Sequence, residues 1–343
     1  MKKSKPTDFA YMLSKFLSSY LPGQRNVSGN TILSYRNTFK LLLSFCKKER
    51  HLSPERLTLD DFSRSLIEDF LHWLKEVRGN GISTCNQRLG AIHAFFNYLQ
   101  YEAPEKMALC QEVLGLKIAK APTVPINYLT IDGVREILSK PDTSTKSGRR
   151  DVTLLSLMYD TGARVKEIAD LTVGDIRFVS PATVRIVGKG RKARIVPLLS
   201  GTEKLLQAYL KDLRLQPDEF TRPLFCNRAN QKFTRAGITY ILKKYAEEAR
   251  ASNPSLIPAT LSPHCIRHSK AMHLLQADVN LIYIRDLLGH SDVKTTEIYA
   301  RADSTQKRKA LEAANPIKSE TQFPAWTEDD GLMNWLQTFG NHT

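Results

Sequence analysis

Two arginines, a lysine, two histidines and a tyrosine lie at predicted chain-reversal points in this 343-residue sequence. They occur in four separated stretches: TGARVKEI, VGKGRKARIVPL, LSPHCIRHS and LLGHSDVKTTEIYA. Guanidinium groups stay charged when they lose water and can hold the non-bridging oxygens of a phosphodiester in a fixed fork. These residue types therefore predict chemistry at a phosphodiester. The six residues are Arg164, Lys189, His264, Arg267, His290 and Tyr299.

The tyrosine gives the set its predicted reaction. A phenol is a poor nucleophile at neutral pH, but a phosphate held by two arginines and a nearby histidine would stabilise the phenoxide and accept its proton. Lys189, on a hairpin between two glycines, can protonate the departing sugar oxygen. The six residues together predict that a phosphodiester is broken and rejoined through a covalent phosphotyrosine, without water, metal or another cofactor.

Local geometry places these side chains near one another. Ser262 and Pro263 predict a helix start with His264 in the first turn and Arg267 three residues later on the same face. A straight helix from residue 290 to residue 299 would separate its ends by roughly 13 Å, which is too far for both to contact one phosphate. We therefore predict a bend within residues 291–294, where Ser291 or Asp292 can cap a new helix that carries Tyr299.

Charge and cysteine content narrow the class of partner and compartment. The chain has 50 basic and 35 acidic residues, a net charge of +15. Residues 1–120 hold 18 basic against 11 acidic side chains, and residues 121–315 hold 31 against 20. Positive charge spread over both parts suits a long polyanion better than a small acidic ligand. The five cysteines contain no Cys-x-x-Cys pair, which predicts reduced thiols in the cytoplasm. No signal peptide or membrane span is predicted.

The pattern of apolar residues predicts a mainly α-helical protein with a small antiparallel β-sheet. The first part contains amphipathic helices, one of which is predicted to be capped by Thr58, and it ends in a linker with two prolines. The second part contains a helix-turn-helix with Gly162 at the turn and a hairpin in ATVRIVGKGRKARIVPL. The predicted divisions are a helical domain over residues 1–116, a linker over 117–128, a catalytic domain over 129–315 and a tail over 316–343.

Several other readings of these residues do not fit. His264, Cys265 and His268 suggest a metal site, but the adjacent Arg267 would repel a cation. We interpret His268 as a buried, hydrogen-bonded histidine. The stretch GKGRK lacks the spacing of a nucleotide-binding P-loop. Tyr283 is a rival nucleophile by residue type alone, and its sequence context predicts packing.

The six residues, in this order and in these four motifs, resemble the signature of the tyrosine recombinases, the phage-integrase and Xer-like family. The resemblance covers about residues 10 to 310, including a helical domain like the core-binding domain of the family. It implies a C-shaped clamp around double-stranded DNA and a 3′-phosphotyrosyl intermediate that frees a 5′-hydroxyl. It also implies strand exchange through a Holliday junction in a homotetramer on two DNA sites.

The resemblance assigns roles residue by residue. It implies that Tyr299 is the nucleophile, that Arg164 and Arg267 bind the scissile phosphate and that Lys189 is the general acid. It implies that His264 is a base or phosphate ligand and that His290 donates a hydrogen bond. Glu167 matches an acidic position that we interpret as a brace for Arg164. The tail, with Trp335, Leu336 and Phe339, is expected to dock on the neighbouring subunit, as C-terminal segments do in relatives.

Further basic residues are candidates for contacts to the DNA backbone. The resemblance favours Lys189 over its hairpin neighbours as general acid, so these neighbours are expected at phosphates. Lys270 departs from the aromatic or aliphatic residue common at its position and is expected to alter packing or add a DNA contact. The candidates are Arg36, Lys40, Arg88, Arg191, Lys192, Arg194 and Lys270.

The biological role is left open between related enzymes. Little sequence precedes the first helical stretch, so an additional arm-binding domain has no room, which favours a simple recombinase of either a mobile element or the Xer-like kind. The leading interpretation is an integrase or transposase of a mobile element. The alternative is a Xer-like resolvase of chromosomes or plasmids. A type IB topoisomerase would share the chemistry without needing the helical domain or an exchanged tail. A non-catalytic DNA-binding regulator would not need Tyr299. We expect the protein to act in the cytoplasm, at the nucleoid when bound to DNA.

Overall fold

The computed structural model describes residues 5–122, 126–188, 190, 192–214, 219–290 and 292–302. The chain divides into two compact units between residues 124 and 125. This division falls inside the segment 117–128, which the sequence predicts as a linker. Within the described parts of the chain, no helix is long and apolar enough to cross a membrane. All five cysteines lie in these parts and are free thiols.

The first unit consists of helices packed around an aromatic core. Phe16 is fully buried and packs edge-on against Phe95 at 5.3 Å between ring centroids, and Phe39 lies 5.1 Å from the same ring. Helix α1 (Asp8–Lys15) continues directly into a π-helical segment, Phe16–Gln24. The helices are α1 (Asp8–Lys15), α2 (Gly29–Glu49), α3 (Arg64–Glu76), α4 (Ile82–Glu102) and α5 (Met107–Leu114).

The apolar faces of the predicted amphipathic helices form the core of this unit, but the prediction that Thr58 caps a helix is wrong. Leu89 and Phe96 of α4 are buried as their spacing predicts. Thr58 does not cap α3. It forms a capping box with Asp61 around the short 3-10 turn Leu59–Asp61, and the hydroxyl of Ser63 accepts the hydrogen bond that caps α3. Two capping sequences follow each other here, and the second one starts the helix.

Within its described residues, the second unit packs eight α-helices and one sheet around its own core. Helix α7 (Lys146–Thr161) is buried over most of its circumference and ends at Gly162, whose φ of 55° is the left-handed conformation predicted for the turn. Thr130 caps the first helix of the unit, because its hydroxyl accepts a hydrogen bond from Gly133 N. The helices are α6 (Ile131–Leu138), α7 (Lys146–Thr161), α8 (Val165–Asp170), α9 (Ser200–Leu213), α10 (Arg235–Ser252), α11 (Pro263–Gln276), α12 (Leu281–Leu288) and α13 (Lys294–Ala302).

The sheet is a three-stranded antiparallel meander of β1 (Ile176–Arg177), β2 (Thr183–Val187) and β3 (Ala193–Pro197). The predicted hairpin pairs β2 with β3, and Ile186 lies opposite Arg194. Strand β1 was not predicted, because two residues are too few to show an alternating pattern. Val184 and Ile186 are fully buried, so this face of the sheet packs on the core and fixes the position of the hairpin.

Candidate active site

Arg164 is placed at the reversal between α7 and α8. Gly162 ends α7, and Arg164 is the N-cap residue of α8. The side chain of Arg164 is 36% exposed, so its guanidinium group is accessible to a ligand. The predicted helix-turn-helix therefore presents this arginine at a helix start, where backbone N–H groups also favour an anion.

Glu167 joins two arginines beneath this position. Its carboxylate accepts hydrogen bonds from Arg164 N at 2.9 Å, Arg164 Nη1 at 2.8 Å and Arg194 Nη2 at 2.7 Å. Burial raises the pKa of Glu167, but the hydrogen bonds and charges of Arg194 and Arg164 outweigh this and keep the pKa below its ordinary value. The predicted brace is therefore in contact with Arg164, and it also holds Arg194.

Arg267 lies deep in the site, with 4% of its surface exposed. Its Nη1 donates to the carbonyl oxygen of Gly162 at 2.7 Å, and its Nη2 donates to that of Leu288 at 2.7 Å. These carbonyls end α7 and α12, where backbone acceptors lack helical partners and a positive charge is favourable. One guanidinium group thus fixes two helix ends, and α11 positions it one turn from its own N-terminus.

The charge on Arg267 is only partly compensated by the protein. No carboxylate of the described residues is in ion-pair contact with this guanidinium. Burial and the nearby charge of Arg164 lower the pKa of Arg267 to about 10, so the group is still a cation at neutral pH. A buried cation with incomplete compensation is a preformed site for an anion such as a phosphodiester.

The chain bends between His290 and Tyr299, as predicted from the length of a straight helix. Helix α12 ends at Gly289, with φ 65°, and the Asp292 carboxylate accepts a hydrogen bond from Lys294 N at 3.0 Å where α13 begins. The bend brings the rings of His290 and Tyr299 to 6.5 Å between centroids, nearly parallel. Position 289 requires glycine for two reasons: its φ is positive, and a Cβ there would lie 2.9 Å from Arg194 Nη1.

Burial sets the protonation of both rings. Desolvation, together with the charges of Arg267 and Arg164, lowers the pKa of His290 to about 4, so its imidazole is neutral at pH 7. Its Nδ1 lies 2.9 Å from the hydroxyl of Thr296, which is fully buried. Burial raises the pKa of Tyr299, although Arg267 and Arg164 oppose this rise, so the phenol is protonated at rest. The site therefore holds a neutral histidine beside a protonated tyrosine.

The two histidines of α11 differ in position. His264 is exposed at the start of the helix, as the sequence predicts. His268, one turn later, is half-buried, and its Nδ1 lies 2.9 Å from the hydroxyl oxygen of Tyr299. The sequence indicates a buried and hydrogen-bonded His268, but it gives no sign that the partner is the candidate nucleophile. This partner is 31 positions away in the chain, and only the tertiary structure shows the contact.

Comparison with known proteins identifies the family. The phage integrase family model matches residues 127–306, and the model of the N-terminal SAM-like domain of phage integrases matches residues 14–103. The chain belongs to the phage integrase family. It is an enzyme of the tyrosine recombinase type, as its six-residue signature predicts, and the predicted mainly helical fold class with a small antiparallel sheet is confirmed.

Individual relatives cover nearly the whole recombinase. It is 35% identical over 335 residues to a Sinorhizobium fredii protein named as an integrase/recombinase, y4rC, with 98% of this chain and 99% of that protein aligned. It is 32% identical over 301 residues to the tyrosine recombinase XerD of Staphylococcus epidermidis, over 87% of this chain and 96% of XerD.

Solved structures share the fold at lower identity. The Tn1549 transposon integrase in complex with transposon right end DNA has a TM-score of 0.69 at 18% identity, covering 88% of this chain and 99% of that chain. The XerH recombinase bound to palindromic difH substrate has a TM-score of 0.67 at 24% identity, covering 85% and 82%. At these identities the similarity establishes the fold of the recombinase.

The hairpin of the recombinase is described on both sides of its turn. Gly188 N donates to the carbonyl oxygen of Lys192 at 2.8 Å, and Gly190 has a φ of 74°. The side chain of Lys192 is exposed. Lys189 and Arg191 lie outside the described residues, so the predicted general acid stays a prediction.

The positions of Arg194 and Lys270 do not fit the predicted contacts to DNA. Arg194 donates from Nε to the carbonyl of Leu287 at 2.8 Å and binds Glu167, and 12% of its side chain is exposed. Arg194 therefore links Glu167 to the C-terminal end of α12 and supports the site. Lys270 is equally buried, 3.9 Å from an Asp160 carboxylate oxygen and 4.9 Å from the centre of the Tyr159 ring. Of the two effects expected for Lys270, altered packing and a DNA contact, its position fits altered packing.

The predicted DNA contact of Arg88 and the predicted packing of Tyr283 are also wrong. Arg88 Nη1 donates to the Ser34 carbonyl at 3.3 Å and the Thr38 hydroxyl at 3.1 Å, so it ties α4 to α2 inside the first unit. Tyr283 was predicted to pack but is 71% exposed. In contrast, Arg36 and Lys40 are exposed one turn apart on α2 and remain candidates for contacts to phosphates.

We expect Glu167→Gln to lower both stability and activity. The change removes the negative charge between two guanidinium groups and places an amide N–H beside one of them. Breaking a buried ion pair in this way costs about 3 kcal/mol of unfolding free energy. Urea denaturation measures the loss, and the rate of DNA cleavage should fall because Arg164 loses its anchor.

Glu68→Gln is the matched control for this substitution. Glu68 forms an exposed i,i+4 pair with Arg64 at 2.9 Å, with about half of each side chain exposed. Such pairs contribute less than about 0.5 kcal/mol. Equal stability losses in the two variants would contradict the assignment of Glu167 as the brace.

Proposed function

We propose that Tyr299 is the nucleophile of DNA strand exchange and that Arg164 and Arg267 bind the scissile phosphate. The observation that supports this most strongly is the position of the Tyr299 hydroxyl. This hydroxyl is buried, and the positive charges of Arg164 and Arg267 act on it. The neutral ring of His290 lies beside the Tyr299 ring. The tyrosine, the two arginines and the histidine come from four different helices or helix ends. Such a site combines a protected nucleophile with preorganised positive charge.

The proposed reaction needs only side chains of the chain and the DNA. Tyr299 Oη bonds to phosphorus as the bond from phosphorus to the 5′-oxygen breaks, which gives a 3′-phosphotyrosyl link and a free 5′-hydroxyl. Lys189 supplies the proton to the departing oxygen, and rejoining reverses each transfer. His290 donates from Nε2 to the phosphate while its Nδ1 accepts from Thr296, and exposed His264 contributes a phosphate contact. The reaction consumes no ATP and uses no metal.

A nicked suicide substrate tests this function. A nick close to the cleavage site lets the short strand diffuse away, so the covalent intermediate accumulates. The wild type should form a protein-DNA band that resists denaturation. A wild type that binds the site and never forms this band would overturn the proposed chemistry and favour a non-catalytic regulator.

We further propose that two duplexes are joined in a homotetramer. Related structures of this fold are complexes with DNA, including the XerH complex with difH, and the charge of the chain suits a polyanion. The residues 316–343, which lie outside the described residues, are proposed as the segment that docks on the next subunit in a closed ring. Deleting residues 318–343 should abolish cooperative assembly on DNA. Unchanged assembly would contradict this part.

We also propose the domain divisions 1–116, 117–128 and 129–315.

The biological role is proposed to be integration or transposition of a mobile element, with a Xer-like resolvase as the second candidate. The y4rC relative favours the first and the XerD relative favours the second. For either role we propose that the protein acts on DNA in the cytoplasm. Incubation with fragmented genomic DNA, denaturation and sequencing of the protein-linked 3′ ends separates them. Adducts at the ends of a repeated element support the first, and adducts at a single chromosomal site support the second.

We expect Arg36 and Lys40 to bind DNA phosphates without reading sequence. Each phosphate contact contributes about 0.9 to the slope of log affinity against log salt concentration. Replacing both residues by alanine should therefore reduce this slope by about 2 and weaken binding to all sequences alike. Fluorescence anisotropy over a salt series measures the slope. Arg64→Ala is the control, because Arg64 is already paired with Glu68; an equal change in both proteins would contradict the assignment.

A further inference from the structure

The hydroxyl of Tyr299 makes one hydrogen bond to the described residues, and its partner is His268 Nδ1 at 2.9 Å. The two rings are 5.7 Å apart between centroids and inclined by 58°. Tyr299 is 1% exposed, so water does not compete freely for this hydroxyl. The nucleophile is therefore held by a group outside the six-residue signature.

Neither of the two histidines in the signature is placed to do this. His290 uses Nδ1 for Thr296 and stacks its ring beside that of Tyr299. His264 is exposed, and its ring centroid lies 6.3 Å from that of His268, the residue whose Nδ1 contacts Tyr299. Among the described residues, the nitrogen in hydrogen-bond contact with Tyr299 Oη is His268 Nδ1.

We propose, resting on the proposed function of Tyr299, that His268 accepts the Tyr299 proton as the phenol oxygen attacks phosphorus. The hydroxyl proton passes to Nδ1, the bond from Oη to phosphorus forms and the bond to the 5′-oxygen breaks. Lys189 protonates the departing oxygen. In the rejoining step the 5′-hydroxyl returns its proton to Lys189, and the imidazolium of His268 returns its proton to Oη. For this, neutral His268 carries its hydrogen on Nε2.

The surroundings keep His268 available as an acceptor. Burial, with the neighbouring His264 and Arg267, lowers the pKa of His268, so the ring is neutral at pH 7 before DNA binds. A phosphodiester bound at Arg267 would bring negative charge to the same place and would stabilise the imidazolium. The basicity of His268 then increases when substrate occupies the site, and the unliganded enzyme keeps a protonated nucleophile.

The substitution His268→Asn separates proton transfer from positioning. The asparagine amide oxygen can occupy the place of Nδ1 and accept the hydrogen bond from Tyr299, but it cannot take the proton. We expect single-turnover cleavage of a nicked duplex that carries the mapped site to fall about 100-fold or more, the usual effect of a general base. The covalent link should still form at Tyr299.

His273→Asn is the matched control. His273 lies on the same helix, and its Nδ1 is likewise hydrogen-bonded to a tyrosine hydroxyl, that of Tyr159, at 2.8 Å. Its Nε2 donates to the Leu129 carbonyl at 2.9 Å, away from Tyr299. We expect this variant to lose stability and to keep its single-turnover rate once folded. An equal loss of rate in both variants would overturn the proposal, because a general effect on packing would explain it.

Two chemical substitutions identify which proton is affected. Fluorinated tyrosine at position 299 ionises at lower pH and should restore most of the rate to the His268→Asn protein. A substrate with sulfur in place of the 5′-bridging oxygen needs no general acid, so it should rescue Lys189→Ala and leave His268→Asn slow. Rescue of His268→Asn by the sulfur substrate, or a wild-type rate in that variant, would overturn the proposal. A wild type that forms no adduct at all would instead overturn the proposed function itself.

Discussion

The Tyr299→Phe protein should fold, bind its DNA site and form no covalent complex. The change removes one oxygen and keeps the buried ring, so the cost is that of one hydrogen bond, about 1 kcal/mol. His268 Nδ1 loses its donor, and the site loses its proposed nucleophile. On a nicked substrate we expect adduct formation to fall below detection, at least 1,000-fold, while the affinity for DNA changes little.

Tyr159→Phe provides the comparison. It also removes a half-buried hydroxyl that is hydrogen-bonded to a histidine Nδ1, at 2.8 Å, so the expected loss of stability is similar. This variant should form adduct at the wild-type rate. Adduct formation by Tyr299→Phe would contradict the assignment, and the exposed hydroxyl of Tyr283 would then be the first alternative to test.

Arg267→Lys should damage both the fold and the reaction. The guanidinium group donates to two carbonyls, of Gly162 and Leu288, through separate nitrogens and still has N–H groups for a phosphate. A lysine has one nitrogen and cannot reproduce this fork. We expect a loss of about 2 to 4 kcal/mol in unfolding free energy, because a buried carbonyl is left without a donor. Cleavage should slow by at least 100-fold.

The same substitution at Arg149 separates these two effects. Arg149 Nη1 also donates to two backbone carbonyls, those of Thr143 and Ser144, at 2.8 and 2.9 Å, and the side chain pairs with Asp212 outside the site. Arg149→Lys should reduce stability without slowing cleavage by the folded protein. If Arg267→Lys slowed cleavage no more than Arg149→Lys, Arg267 would be a structural residue only.

Much of the site could be predicted from local rules. The rise of a helix showed that His290 and Tyr299 could not meet without a bend, and Gly289 and Asp292 provide it. Gly162 and the N-terminal position of Arg164 followed from capping and turn preferences. These features depend on neighbours within a few positions, which the sequence shows directly.

Contacts between distant segments were not predictable in the same way. Arg194 looked like a free cation on a hairpin, but the fold brings it to Glu167 and to the end of α12. Lys270 was expected to alter packing or add a DNA contact, and it is buried beside Asp160. Both residues lie where a long basic side chain meets an acceptor from another element. Charge patterns in a sequence cannot show such contacts, because the contacts depend on tertiary packing.

The most direct test of the central claim is to locate the covalent bond. The adduct of the wild type with its mapped site is digested with trypsin and nuclease, and the modified peptide is sequenced by mass spectrometry. We expect the phosphate of a DNA 3′ end on the peptide of residues 295–301, at Tyr299. Attachment to any other residue, or through a DNA 5′ end, would contradict the account.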